Sequence, residues 1–195
     1  MTLAAFSLAV LALLLAPGPT NTLMAVAGAS HGLRRVVRLV PAELAGYLLT
    51  VVPLALMGAG LMARAPGAAL LLKLAAALWV MVLALRLWRS GAAGAEGFAI
   101  GAGRIFVTTA LNPKALIFGL VLVPAPSPAE VAARLAVFCG LVVAVALLWG
   151  GFGALGHARA GGARAGGLQP GRLRRIASGW LALVSVSLLW GALRG

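Results

Sequence analysis

Six stretches of the chain, at about 3–26, 39–62, 68–88, 105–124, 131–156 and 176–193, are apolar over a length that suits a bilayer. A helix needs roughly 20 such residues to cross the hydrocarbon core. Lipid offers no water to unpaired backbone groups, so spans of this kind have to be helical. The runs Leu135 to Leu148 and Trp180 to Leu193 are the least interrupted. Composition excludes a water-soluble fold: 63% of residues are hydrophobic and 10% charged, against about 25% charged in an ordinary soluble domain. The 26 glycines suit close helix approach in lipid, and a homodimer could use the same small faces. Leu8 to Ala16 looks like the apolar core of a secretory leader, yet no cation precedes it. The first stretch is therefore expected to be retained as a span.

Arginines give the topology. Arg34, Arg35 and Arg38 follow the first stretch, Arg86, Arg89 and Arg104 flank the third connection, and Arg159, Arg164, Arg172, Arg174 and Arg175 crowd the fifth. The second, fourth and C-terminal segments carry Arg64, Arg134 and Arg194. Positive-inside bias puts the first, third and fifth connections in the cytoplasm. The net charge of +13 thus reads as topology rather than nucleic-acid binding. The expected fold is all-α: a polytopic membrane protein of six transmembrane helices, with both termini outside. The fifth connection, Gly156 to Pro170, reads as a mobile, solvated topology determinant, although basic juxtamembrane segments also attract anionic lipid.

Within this frame two spans are interrupted by proline near their middles, at Pro17-Gly18-Pro19 and at Asn112-Pro113-Lys114. Such breaks persist only where protein or a solvated cavity surrounds them. Proline suits the first turn of a new helix, so half-helices are expected to start near Pro19 and Pro113. With three spans per half, the second half enters the membrane from the opposite side. The chain then forms one transmembrane domain, 1–195, of two inverted three-helix repeats at about 1–90 and 100–195. Broken helices at matching places in two repeats point to a transporter's substrate site. Helix starts carry roughly half a positive charge, and a substrate carboxylate between two of them would meet donors from both sides.

The candidate substrate-binding residues are Pro17, Gly18, Pro19, Thr20, Asn21, Asn112, Pro113 and Lys114. Asn112 can cap the second half-helix or offer its amide to a substrate; Thr20 and Asn21 offer similar polar groups beside the first break, or merely repair freed backbone, a threonine commonly bonding its own helix. Lys114 at mid-bilayer costs about 2.5–3.5 kcal/mol on insertion scales. It is expected to face a cavity, where it attracts a carboxylate, changes protonation or braces carbonyls. Lys73 lies about a turn into its span, where a lysine snorkels. Glu43 is the one carboxylate near a span interior, and with Lys114 it is a candidate for proton coupling; a water-facing helix-start charge is the other reading. Tyr47, one turn further on, lines the same path or packs at an interface.

Other chemistries fit poorly. The chain has no Asp and no HExxH, and His31 and His157 fall in expected loops, so neither an enzyme nor haem ligation is indicated. Cys139 is the single cysteine, which excludes a dithiol carrier. No metal site or cofactor is expected. A channel or a metal-ion efflux protein remains the alternative, the latter wanting acidic or histidine ligands within spans.

The segment Ala16-Pro17-Gly18-Pro19-Thr20-Asn21-Thr22-Leu23 resembles the first-span signature of the lysine-exporter (LysE/RhtB) family, and Leu111-Asn112-Pro113-Lys114-Ala115 is similar to its fourth-span signature. The order of apolar segments agrees across nearly the whole chain. The resemblance implies a multi-pass protein of the bacterial inner membrane that exports an amino acid or related metabolite, driven by the proton gradient. It also implies that Pro17, Gly18, Pro19, Asn112, Pro113 and Lys114 belong to the transport core. Many relatives place their polar residue directly after the second proline, where Thr20 stands here. Three acidic residues in all leave only Glu43 to partner a cationic side chain, so a neutral or modestly polar amino acid is the expected substrate.

Overall fold

The computed structural model describes residues 1–64, 67–90, 100–160 and 170–194, and among these every regular element is helical. The order is α1 (Leu3–Leu15), α2 (Pro19–His31), α3 (Leu33–Arg64), α4 (Gly67–Ser90), α5 (Ala102–Ala110), α6 (Pro113–Ile117), α7 (Pro128–Ala160) and α8 (Pro170–Arg194). A π-helical turn, Phe118–Leu122, continues α6. Two segments, Leu33–Met57 and Pro128–Leu155, are long and apolar enough to cross a membrane singly. The pairs α1–α2 and α5–α6 meet the same test when each is counted as one span, bent by 62° and 49°. That makes up to four candidate spans in a helical membrane protein; the apolar segments Ala77–Arg86 of α4 and Arg175–Ser187 of α8 are shorter.

Both bends fall where proline chemistry puts them. Pro19 and Pro113 each occupy the first turn of a new helix, where a missing N–H costs nothing. Proline alone does not suffice, because Pro41 and Pro53 lie inside an unbroken α3. Both of those are exposed, and neither stands beside a second proline or a capping asparagine.

Packing pairs the halves of the chain across one another. The broken pair α1–α2 lies along α7, α5–α6 and the π-turn lie along α3, α4 lies against α8, and α3 meets α7. The core divides into two apolar clusters. Leu14 belongs to one and Leu23 to the other; Ile105 belongs to the second and Ala115 to the first. Each break therefore sits where its helix pair crosses between clusters, in opposite senses. Leu44 and Trp149 pack against both clusters.

The α4–α8 pair is clamped by two serines on one face of α8. Ser178 Oγ donates to the Ala84 carbonyl at 2.7 Å and Ser185 Oγ to the Ala77 carbonyl at 2.8 Å. Interhelical hydrogen bonds in membranes are worth about 0.6 kcal/mol on average. Ser178→Ala is expected to lower stability by about that much, read from unfolding in detergent, and Ser185→Ala the same; a loss several times larger from either would mean the clamp carries more than its bond.

Two expectations change here. Glu43 is not a water-facing charge at a helix start: α3 begins ten residues earlier, at Leu33, and Glu43 is 2% exposed. His31 ends α2 rather than standing in a loop, and α7 runs through position 157. The side chains of His157 and Lys73, and residues 161–169 of the fifth connection, lie outside the described residues.

Candidate functional site

The proline breaks free carbonyls that would otherwise have bonded to the following turn. In α1 these are met by side chains from beyond the break. Asn21 Nδ2 donates to the Leu14 carbonyl at 2.7 Å and to that of Ala16 at 3.1 Å. The Lys114 ammonium, from the other bent helix pair, also donates to Ala16. In α5 the Ala110 carbonyl accepts from Thr50 Oγ1 of α3 at 2.8 Å. Asn112 caps α6, its Oδ1 accepting from the Lys114 backbone N–H at 3.1 Å.

A buried polar chain joins the two breaks. Thr109 Oγ1 donates to the Ile105 carbonyl at 2.8 Å, so toward Thr20 it can only accept. Thr20 Oγ1, 3.2 Å away, is therefore the donor in that pair and accepts in turn from Asn112 Nδ2 at 3.2 Å. Asn112 Nδ2 also donates to the Tyr47 hydroxyl at 3.3 Å. The direction is fixed from end to end: Asn112 gives to Thr20, Thr20 to Thr109, and Thr109 to backbone. Thr20, Asn21, Tyr47, Thr109 and Asn112 are all buried. Tyr47 is held in turn by edge-on contacts with Phe118 and Phe138, at centroid distances of 5.8 and 5.5 Å.

The two helix starts differ. Asn112 occupies that of α6, whereas no side chain caps α2 at Gly18. Gly18 is where the lysine comes closest: a Cβ there would meet Lys114 Nζ at 3.2 Å and Cε at 3.3 Å. The uncapped, buried start of α2 and an ammonium group thus share one spot, which is chemistry suited to an anion. Glu43 lies one turn before Tyr47 on α3, and its buried Oε2 makes no hydrogen bond.

Of the sequence candidates, the structure brings Gly18, Thr20, Asn21, Asn112 and Lys114 together, with Pro19 and Pro113 starting their helices. Pro17 is exposed and lies aside. It borders a cavity of about 170 Å³ between α2, α7 and α8, lined also by Thr22, Val26, Trp149, Ala177 and Trp180. The indole N–H groups of Trp149 and Trp180 make no hydrogen bond. Where α2 meets α3, His31, Arg34, Arg35 and Arg38 line a second cavity of about 420 Å³.

Thr109, Thr50 and Arg134 were missed by motif reading. Arg134 is 7% exposed and donates to the Leu122 carbonyl at 3.1 Å, that of Met1 at 3.3 Å and that of Pro124. Its signal was its register, since Val131, Arg134 and Phe138 share a buried face of α7 at helical spacing. Among the described residues no group of three or more His, Cys, Asp or Glu could hold a metal ion. Comparison of the chain with protein-family models, curated proteins and solved structures returns no match.

Proposed function

We propose that this chain is a small secondary transporter that exports an amino acid or closely related metabolite across the bacterial inner membrane, coupled to protons. It crosses the membrane six times as two inverted repeats, both termini outside. One observation carries the reading: two spans broken at proline meet in a single buried polar junction, the arrangement in which discontinuous helices bind substrates. The exchange of packing partners, α1–α2 with α7 and α5–α6 with α3, is what a pseudo-two-fold axis in the membrane plane requires. The resemblance of both break motifs to the lysine-exporter family supports the same reading.

The chemistry follows from the junction. A substrate carboxylate competes with the Ala16 carbonyl for the Lys114 ammonium and lies at the uncapped start of α2. The lysine then exchanges a neutral acceptor for a charged one, the stronger partner. An apolar cavity of about 150 Å³ can take benzene, so the space of about 170 Å³ beside Pro17 suits an aliphatic or aromatic side chain. Glu43, a buried carboxylate one turn from Tyr47 with Oε2 unbonded, is the proton-coupling group.

The test is flux. Purified protein in proteoliposomes is expected to give saturable counterflow of a neutral amino acid, found by screening for lowered accumulation on overexpression. Fast, unsaturable leak would favour a pore. Lys114→Ala is expected to reduce counterflow to background while the protein still inserts, and undiminished flux would remove the lysine from the site. Pro113→Ala, which lets α5 and α6 join, is expected to slow turnover strongly; wild-type turnover would show that the break is not needed.

A further inference from the structure

We infer that Arg35 and Arg134 are a matched pair of latches, one at each end of the bundle, whose alternate release opens the junction first to one side of the membrane and then to the other. The inference rests on the inverted-repeat reading but not on any substrate. Arg134, near the start of α7, donates to the Met1 carbonyl at 3.3 Å, two residues before α1 begins at Leu3. Arg35, near the start of α3, donates to the Ile100 carbonyl at 3.0 Å, two residues before α5 begins at Ala102. One offset of 99 residues relates Arg35 to Arg134 (134 − 35), Met1 to Ile100 (100 − 1) and Leu3 to Ala102 (102 − 3). It also relates Phe6 to Ile105 (105 − 6), both fully buried just inside their helix starts.

Each arginine thus ties the backbone leading into one broken span to a long helix of the opposite half. Because α1–α2 runs from one end of the bundle to the other and α3 follows it, the two ties lie at opposite ends. A broken span that leaned away from its long helix would have to break its tie first. Both ties are made here. They are unequal: Arg134 is buried, also holds the carbonyls of Leu122 and Pro124, and lies 5.7 Å from the Phe6 ring centroid. Arg35 is partly exposed and borders the basic cavity. The Arg35 end, cytoplasmic by the arginine distribution, is therefore the easier to open.

The pair is tested by access, without substrate. Cys139, the single cysteine, is replaced by serine, and a new cysteine is placed at Val10 or at Ile105, both fully buried. A membrane-impermeant maleimide is applied to right-side-out or inside-out vesicles. Arg134→Gln is expected to raise labelling of the Val10 cysteine from outside about tenfold, the factor corresponding to about 1.4 kcal/mol, and to leave the Ile105 cysteine protected. Arg35→Gln is expected to raise labelling of the Ile105 cysteine from the cytoplasmic side by a smaller factor and to leave the Val10 cysteine protected. Should Arg134→Gln fail to fold, Arg134→Lys, which keeps the charge and loses the fork, is expected to give the same one-sided rise. Unchanged labelling, or a rise at both cysteines with either variant, overturns the latches. One-sided labelling in a protein that moves no amino acid would uphold them and reject the exporter.

Discussion

Replacement of Asn112 by alanine is expected to abolish substrate flux and to weaken the folded chain. The side chain does two jobs with opposite ends. Its carbonyl oxygen caps α6 through the Lys114 N–H, and its amide donates to Thr20 and Tyr47. Alanine removes the cap, worth about 1 kcal/mol, and the donor at the head of the chain that ends on the Ile105 carbonyl. Thr20 and Tyr47 then lose a partner in a buried site, where an unsatisfied group costs about 1–3 kcal/mol. Asn112→Asp separates the jobs, because a carboxylate keeps the capping oxygen and loses the amide. The aspartate variant is expected to insert and stay folded in detergent yet carry no counterflow, while Thr109→Ser, which keeps a hydroxyl, transports near the wild-type rate. Wild-type flux from Asn112→Ala would disconnect the junction from transport.

What the sequence made legible is what proline and asparagine dictate locally. Half-helices were expected near Pro19 and Pro113, and α2 and α6 begin at those residues. An asparagine just before a proline is a capping signal, and Asn112 caps. The partners were not legible, because they come from far along the chain. Thr20 was read as bonding its own helix or a substrate; it reaches Thr109, 89 residues away. Asn21 and Lys114 meet freed carbonyls at the first break, one of the roles each motif allowed, and only packing could show that the lysine crosses from the other bent helix pair. Arginine counts treated Arg134 as a marker of sidedness. Its burial follows from facing Phe6 and the backbone at Met1, which no local pattern encodes. Glu43 could have been placed from register: Val36, Val40, Glu43, Tyr47, Val51 and Leu54 form one buried stripe on α3, and a carboxylate within such a stripe faces protein.

Gly153→Ala and Gly28→Ala are expected to be among the most damaging methyl additions to the chain. At the crossing of α2 and α7 the two backbones touch directly. A Cβ on Gly28 would overlap the Gly150 carbonyl oxygen, and one on Gly153 would overlap that of Ala25. Neither obstacle is a side chain that can swing aside, so the helices have to separate. Overpacking costs about 1–3 kcal/mol even in cores that can adjust; here separation would also pull Thr20 of α2 away from Thr109 and Asn112. The same helix supplies its own control, since a Cβ on Gly140 or Gly151 would meet nothing within 4 Å. Alanine there is expected to stabilise α7 by about 0.5–1 kcal/mol, the cost of glycine in a helix. Thermal unfolding in detergent should therefore split four alanine variants by sign: Gly140 and Gly151 upward, Gly28 and Gly153 downward with loss of flux. If Gly153→Ala proved as stable as Gly151→Ala, α2 and α7 would not cross at these glycines, and the junction that their contact holds in place would need another support.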